Sequence, residues 1–132
     1  MTDPQNLSRR ERQIMDIVYE LGQATSAEIL ERLPDPPSAA SVRTLLRILE
    51  ERGHLRHTPD GPRYVYHPTV PRNRASRSAL RHVLRTFFEN RVTGVVETLL
   101  DIEGKNLSQE EVARLAELIE HIQETEEQED DR

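Results

Sequence analysis

A proline-rich turn at residues 34–37 is the feature that most constrains the fold of this chain. Proline fixes the backbone φ angle and lacks an N–H group, so the sequence PDPP excludes a continuous helix through this point. Helical patterns of apolar residues lie on both sides of the turn, at residues 8–21, 26–33 and 38–53. The first part of the chain is therefore predicted to form a helix-turn-helix arrangement.

The two helices before the turn begin at residues with capping side chains. Ser8 and Glu11 have the spacing of a capping box, in which each side chain bonds the backbone N–H of the other residue. Ser26 is the predicted N-cap of a short second helix at residues 27–33. Between the two helices, residues 23–25 form a connector that could pair as a minor strand.

The helix after the turn has two faces of opposite character, with Ser38 as its predicted N-cap and Gly53 as its predicted end. The apolar face contains Val42, Leu45, Leu46 and Leu49, and the opposite face contains Ala40, Arg43, Thr44 and Arg47. Arginine can bind guanine through two hydrogen bonds, threonine can contact a base edge, and alanine lets a helix lie close in a groove. This face indicates DNA recognition, although a solvated amphipathic helix would show the same pattern.

The apolar period after the third helix changes from that of a helix to that of a strand. Residues 55–58 and 63–67 are predicted to form a β-hairpin around the turn sequence TPDGP, with Leu55, Tyr64 and Tyr66 facing the helices. A hairpin in this place is the wing of a winged helix-turn-helix, whose third helix and wing together form a DNA-docking surface. The predicted fold class is mainly α with a small β-hairpin: a winged helix-turn-helix followed by a helical dimerisation region.

The residues predicted to contact DNA come from the first helix, the third helix and the wing. Arg63, near the wing tip, is expected to reach phosphate or the minor groove. Arg9 and Arg10 lie in the first helical turn, where positive charge opposes the helix dipole, and are predicted to bind phosphate; scattered surface charge is the alternative. The full set is Arg9, Arg10, Ser38, Ala40, Ser41, Arg43, Thr44, Arg47 and Arg63.

The sequences SVRTLLRILEERGHL and RYVYHPTV resemble the winged-helix core of the penicillinase-repressor family, the BlaI/MecI/CopY-type regulators. LSQEEVARLAELIE similarly resembles the start of that family's last helix. The resemblance implies a dimeric bacterial repressor with an N-terminal winged helix on DNA and a C-terminal helical dimerisation part. Arg43 and Thr44 match the family's Arg-Thr pair in the recognition helix, and Tyr66 and Pro68 match the exit of the wing.

Two departures from the family concern its release from DNA. Copper-responsive members use paired cysteines, and this chain has no cysteine, so thiolate metal sensing is excluded. The β-lactam-responsive members are cleaved at an Asn-Phe bond before the last helix, whereas the corresponding region here reads ETLLDIEGKNLS. A regulatory protease is kept as a candidate partner. Its cleavage site is predicted to lie within residues 97–106.

Three helical patterns follow a stiff link at residues 68–71: residues 72–88, residues 92–100, and a last helix that begins at a Ser108 and Glu111 capping box. With no covering sheet, their apolar residues cannot all be buried within one chain, so a two-fold homodimer is predicted. A small monomeric bundle is the alternative. The predicted dimer residues are Leu80, Leu84, Phe87, Phe88, Val95, Leu99, Val112, Leu115, Ile119 and Ile122.

The formal net charge of −6 is unevenly distributed. Residues 1–68 carry nine basic and ten acidic side chains, residues 69–100 carry six and two, and residues 101–132 carry three and twelve. The acidity therefore does not argue against DNA binding by the first part.

The predicted domains are a winged helix-turn-helix DNA-binding domain (8–70), a helical dimerisation region (71–123) and an acidic tail (124–132). The helix is expected to fray in this tail; an autoinhibitory segment that competes with DNA is the alternative.

Other classes of function have little support in the sequence. No nucleophile motif or glycine-rich phosphate loop is present, so neither an enzyme nor a cofactor is predicted. If Thr58 paired with Arg63, His54 would lie opposite His67 and could hold a metal, but solvent-facing histidines explain this pattern more simply. No apolar run of about 18 residues and no signal-type N-terminus is found, so a cytoplasmic protein without a membrane partner is expected.

The sequence thus predicts a homodimeric transcriptional repressor that binds a palindromic operator in double-stranded DNA. A winged-helix protein-interaction module without DNA binding is the alternative, and the acidic balance would suit it. Retained DNA binding at about 100 mM salt, with a steep salt dependence, distinguishes the two.

Overall fold

The computed structural model describes residues 6–130, with the side chains of residues 6–128, and divides the chain into two compact units with a boundary between Ala79 and Leu80. The first unit contains α1 (Arg9–Leu21), β1 (Ala24–Thr25), α2 (Ser26–Arg32), α3 (Ala39–Glu51), β2 (Leu55–Asp60), β3 (Arg63–Pro68) and the start of α4 (Arg72–Phe87). The second unit contains the rest of α4, then α5 (Val92–Glu103), a 3-10 helix (Gly104–Asn106) and α6 (Gln109–Asp130). The fold is mainly α with a small antiparallel sheet, as predicted.

The core of the first unit is built from one face of each helix and the inner end of the sheet. Its fully buried large side chains are Ile14, Val18, Ile29, Val42, Leu46, Leu49 and Leu55. The predicted apolar face of α3 is therefore confirmed, with Leu45 only partly buried at its edge. Each such side chain contributes about 1.5–3 kcal/mol on full burial, so the core fixes which face of α3 points outward.

The capping box at the start of α1 is present as predicted. The Ser8 backbone N–H donates to the Glu11 carboxylate at 2.9 Å, and the Ser8 hydroxyl accepts from the Glu11 N–H at 3.2 Å. Glu11 is buried and also forms an ion pair with Arg52, across 3.1 Å. Burial alone would raise the pKa of Glu11, but the bonds from Ser8 and the charge of Arg52 outweigh it and lower this pKa.

The predicted N-cap of α2 is wrong by one residue. Thr25 is the N-cap, because its hydroxyl accepts from the Glu28 N–H at 3.2 Å while the Glu28 carboxylate accepts from the Thr25 N–H at 2.9 Å. These bonds lower the pKa of Glu28. Ser26 has Ile29 three residues later, which cannot complete the reciprocal pair, so Ser26 becomes the first helical residue.

The sheet has the strand order β1-β3-β2 and is antiparallel throughout. The minor strand is confirmed, since Ala24 pairs with Tyr66. The hairpin is longer than predicted: Asp60 pairs with Arg63 across a two-residue turn that begins at Gly61, whose φ is 63°. A positive φ at the first turn residue is typical of a type II′ hairpin turn and favours glycine.

The register of the hairpin pairs Arg56 with His67, so the condition for placing His54 opposite His67 is not met. His54 is buried rather than solvent-facing. Tyr64 lies on the same face of β3 as Tyr66 but is not buried against the helices as expected: 52% of it is exposed, because the strands continue past the helical core toward the turn. Leu55 and Tyr66 are buried, as expected.

The second unit is helical, and all its described side chains (residues 80–128) are exposed or only partly buried. The α4–α5 connection contains two left-handed residues, Glu89 and Asn90, with φ of 50° and 63°. The Ser108 and Glu111 capping box is confirmed, with the Ser108 hydroxyl accepting from the Glu111 N–H at 3.1 Å.

The last helix extends further than the sequence suggested. The expected fraying from residue 124 is wrong, because α6 continues to Asp130. Glutamate and glutamine are good helix formers, and no glycine or proline interrupts the segment. The end of the predicted tail, residues 131–132, lies outside the described residues. Across the described chain, no helix combines the length and apolar character that crossing a membrane requires.

Candidate nucleic-acid interface

The outward face of α3 displays the residues that the sequence singled out. Ala40, Arg43, Thr44 and Arg47 lie on it opposite the buried face, and all four are exposed. The Thr44 hydroxyl donates to the Ala40 carbonyl at 3.1 Å, which orients its oxygen toward the helix backbone. This geometry leaves the threonine methyl group and the small alanine side chain available for close approach to a groove.

The two arginines of this face differ in their surroundings. Arg47 forms an exposed ion pair with Glu51, four residues later, across 2.8 Å. The guanidinium group of Arg43, by contrast, forms no hydrogen bond or ion pair with residues 6–128. The guanidinium group of Arg43 therefore has its donors available for an external acceptor.

The start of α3 is held by serine side chains. The Ser38 hydroxyl accepts from the Ser41 N–H at 3.1 Å and donates to the Ser41 hydroxyl at 2.9 Å. Ser38 is thus the N-cap, as predicted, and its hydroxyl is used within the helix. Ser41 is exposed as well, and its hydroxyl oxygen keeps the capacity to bond an external group.

The two arginines predicted at the start of α1 have different positions. Arg9 is exposed, as a phosphate contact would require. Arg10 donates to the Pro34 carbonyl at 2.6 Å, to the Asp35 carbonyl, and to the Gln13 side chain at 3.2 Å. Asp35 has a positive φ of 44°, so Arg10 stabilises the turn that leads into α3. The bonds to Pro34 and Asp35 join residues 24 and 25 positions apart, so the local sequence around Arg10 gave no indication of them.

The wing places Arg63 next to its turn, as the sequence suggested. There the guanidinium group bonds the Asp60 carboxylate at 3.0 and 3.2 Å, and both side chains are exposed. The base of the wing is closed by Thr69, whose hydroxyl donates to the Gly53 carbonyl at 2.6 Å. The wing is therefore fixed at its base while Arg63 lies at its free end.

A polar and aromatic cluster joins the wing to α3, and the sequence reasoning missed it. His57 of β2 is hydrogen-bonded to the Glu50 carboxylate of α3. The same ring stacks on Tyr64 at a centroid distance of 4.2 Å and lies 5.9 Å from Tyr66. Burial, followed by the nearby charge of Glu50, raises the pKa of Tyr66. Only the hairpin register reveals these contacts, because it puts His57 directly opposite Tyr66.

The residues predicted for dimerisation lie in the second unit and leave much apolar surface uncovered. Phe87 is 72% exposed and Ile119 is 59% exposed, although both are large apolar side chains. Partly buried positions are Leu84, Phe88 and Val95. The remaining predicted residues are exposed: Leu80, Leu99, Val112, Leu115 and Ile122. Five further exposed apolar residues lie outside the predicted dimer set: Val92, Val96, Leu100, Ile102 and Leu118.

Helices α1 to α3, packed against an antiparallel hairpin that follows directly, define a winged-helix transcriptional regulator. The sequence matches the penicillinase repressor family over residues 7–121, and the chain belongs to that family. The family consists of transcription regulators, which are not enzymes. The resemblance seen in the recognition-helix and wing sequences is thereby confirmed.

The individual proteins that this chain resembles have low sequence identity to it. A curated relative from Latilactobacillus sakei, described as an uncharacterized 16.5 kDa protein in the ptsI 3′ region, is 25% identical over 115 residues, which are 86% of this chain and 77% of the relative. The DNA-binding domain of the repressor BlaI is 23% identical with a TM-score of 0.47, over 54% of this chain and 89% of that domain.

Two solved regulators extend over more of the chain at lower identity. MepR, a transcription regulator of the Staphylococcus aureus multidrug efflux pump MepA, is 14% identical with a TM-score of 0.48, over 92% of this chain and 81% of MepR. A cysteine-to-serine mutant of Lactococcus lactis ZitR is 19% identical with a TM-score of 0.43, over 95% of this chain and 78% of ZitR. The family assignment rests on the sequence match over residues 7–121.

Proposed function

We propose that this protein is a transcriptional repressor that binds a palindromic operator in double-stranded DNA as a homodimer, with α3 in the major groove and the wing on the backbone or minor groove. The observation that carries the proposal is the outward face of α3. Its arginine, threonine and alanine side chains point away from the core, and Arg43 has no bonding partner among residues 6–128. An unpaired guanidinium on a groove-sized helix is suited to bidentate binding of guanine.

Arg47 and Arg63 have a different role in this proposal, because both already bond carboxylates. Each pair is exposed, with Glu51 and Asp60 as the partners. Exposed ion pairs contribute about 0–1 kcal/mol, so exchanging the carboxylate for a DNA phosphate or base costs little. The free protein therefore holds these two arginines in place while it keeps Arg43 open for recognition.

The second unit supplies the reason for a homodimer. Its exposed apolar side chains would remain in water in a single chain, and covering them with a second copy about a two-fold axis removes this cost. Two recognition helices related by such an axis would read two half-sites spaced by about one helical turn or a multiple of it. Binding of the first half-site would raise the effective concentration for the second.

The test begins by selecting DNA fragments with the purified protein and sequencing them to obtain the operator. In titrations on that duplex, Arg43→Ala is expected to lose about 1–3 kcal/mol and to relax specificity locally. Arg63→Ala is expected to weaken binding to all sequences similarly, because a wing contact to phosphate carries no sequence information. Arg114→Ala is the matched control, since it removes an exposed arginine of α6.

The rival function is a winged-helix interaction module that does not bind DNA. It is favoured by the slight negative charge of residues 1–68 and by the carboxylates that bond Arg47 and Arg63. Under this rival, selection would enrich no common sequence, and the wild-type protein would not bind duplex DNA at about 100 mM salt. Unchanged operator affinity in Arg43→Ala would contradict the recognition role of α3.

A further inference from the structure

Four arginines form a continuous stripe along α4. They are Arg74, Arg77, Arg81 and Arg85, with spacings of three, four and four residues. At 3.6 residues per turn this spacing confines them to about 80° of the helix circumference and extends them over about 17 Å. The bounds of α4, Arg72–Phe87, thus place all four arginines on one side of a single helix.

The arginine stripe faces solvent and lacks carboxylate neighbours on its own helix. All four side chains are exposed, and none of them forms an ion pair or hydrogen bond with the residues that the structure describes. Helix α4 contains no acidic residue. The apolar residues Leu80, Val83, Leu84 and Phe87 centre on a neighbouring side of the helix, so covering them in a dimer would leave the stripe accessible.

Four other arginines of the first unit bond groups within the fold. Arg10 bonds the turn before α3, Arg52 pairs with Glu11, and Arg47 and Arg63 pair with carboxylates. Residues 1–68 have nine basic and ten acidic side chains, so this part has little long-range attraction for phosphate. The arginine stripe differs from the other exposed arginines of the winged helix, such as Arg9 and Arg43, in lying on a helix that contains no acidic residue.

The start of α4 is attached to the first unit. The Arg72 guanidinium donates to the Tyr19 carbonyl of α1, and the Tyr19 hydroxyl donates to the Val70 carbonyl at 2.8 Å. Arg74 and Arg77 belong to that same unit, and Arg81 and Arg85 continue along the same unbroken helix. The first half of the stripe therefore belongs to the same compact unit as α3.

Resting on the proposed function, we propose that the arginine stripe binds the phosphate backbone of the same DNA duplex that α3 reads, without sequence preference. Guanidinium groups bind phosphate oxygens through charge-assisted hydrogen bonds, and a row of exposed arginines matches the regular row of phosphates along a strand. Each bound phosphate releases condensed counterions, so these contacts strengthen operator and non-operator binding alike. The stripe thus supplies affinity, and α3 supplies sequence discrimination.

The test is a combined variant, Arg74→Gln with Arg77→Gln, Arg81→Gln and Arg85→Gln. Glutamine is nearly as good a helix former as arginine, so α4 should be kept. Affinity for the operator and for an unrelated duplex of equal length is measured over a range of salt concentrations. The slope of log K against log salt should become shallower by about 0.9 for each phosphate that the variant no longer binds. Both affinities should fall by the same factor, leaving the specificity ratio unchanged.

A charge-matched control separates a local effect of the stripe from an effect of total charge. Lys105→Gln, Gln109→Glu, Arg114→Gln and Gln123→Glu together change the net charge by the same amount at exposed positions in and before α6. This control should keep the wild-type salt slope. Circular dichroism and sedimentation verify helix content and dimerisation in both variants. If the combined variant fails either check, the pair Arg74→Gln and Arg77→Gln alone should still make the slope shallower.

Three results would overturn the proposal. The first is an unchanged salt slope in the combined variant, and the second is an equal change in the charge-matched control. The third is a weakened dimer with an unchanged slope, which would indicate that the stripe binds the acidic α6 of a second copy. A wild-type protein that binds no duplex would instead refute the proposed function itself, and the stripe's role with it.

Discussion

Replacing Ile119 by glutamate tests whether the second unit forms a two-fold dimer. Ile119 lies on α6 in a row with Val112, Leu115 and Ile122, at spacings of three, four and three residues. All four side chains are exposed in the single chain. Such a narrow apolar seam is typical of a helix that packs against a partner helix.

The expected loss can be worked out from the exposure of this side chain. Fully burying an isoleucine contributes about 1.5–3 kcal/mol, and 59% of Ile119 is still exposed. Covering the rest would therefore contribute about 1–2 kcal/mol per copy, and about 2–4 kcal/mol for the two copies of a dimer. Losing this contribution would raise the dimer Kd by roughly 30- to 700-fold. An unpaired carboxylate in the apolar contact would add to the loss.

Sedimentation equilibrium gives the dimer Kd, and titration on one operator duplex gives the effect on DNA binding. Operator affinity should fall at least tenfold, which is about 1.4 kcal/mol. His121→Glu is the matched control, because it places the same new charge two residues away on the opposite side of α6. The reasoning fails if Ile119→Glu dimerises like the wild type, or if His121→Glu disrupts the dimer equally.

Three further predictions concern acid stability, metals and release. The lowered pKa of Glu11 means that its contribution to the unfolding free energy is complete above its ordinary pKa of 4.5 and is lost as the pH falls through the lower folded value. Glu11→Gln should therefore lose less stability than the wild type when chemical denaturation is repeated at decreasing pH below 4.5; parallel losses would contradict this. Because the chain has no cysteine, micromolar copper or zinc should leave operator affinity unchanged in titrations with and without a chelator. If release is proteolytic, the cut should fall within residues 97–106, most readily in the 3-10 helix at Gly104–Asn106, where α5 ends. Mass spectrometry of a truncated form from induced cells would locate this cut, and a site inside α3 would contradict the prediction.

Features determined by neighbouring residues could be predicted from the sequence. The capping boxes at Ser8 and Ser108 depend on a hydroxyl and a carboxylate three residues apart, and both are present. The two faces of α3 follow from its helical period, which the core then confirms. The same local pattern indicates Thr25 as the N-cap of α2, because Glu28 lies three residues after it and completes a capping box.

Features determined by distant residues could not be predicted in this way. Alternation along β3 correctly put Tyr64 and Tyr66 on one face, but only the extent of the helical core decides that Tyr64 is exposed. Likewise, Arg10 was predicted to bind phosphate, but its guanidinium group donates to the carbonyl of Pro34, 24 residues away.

The cluster of Glu50, His57 and Tyr64 couples the recognition helix to the wing. A chimera that received an α3 without glutamate at position 50 would leave His57 without its carboxylate partner. Transfer of the wing alone would remove both the histidine and the tyrosine that stacks on it. New operator specificity should therefore be obtained by exchanging residues 38–68 as a block, and substitutions in α3 and in the wing should show non-additive effects on DNA affinity.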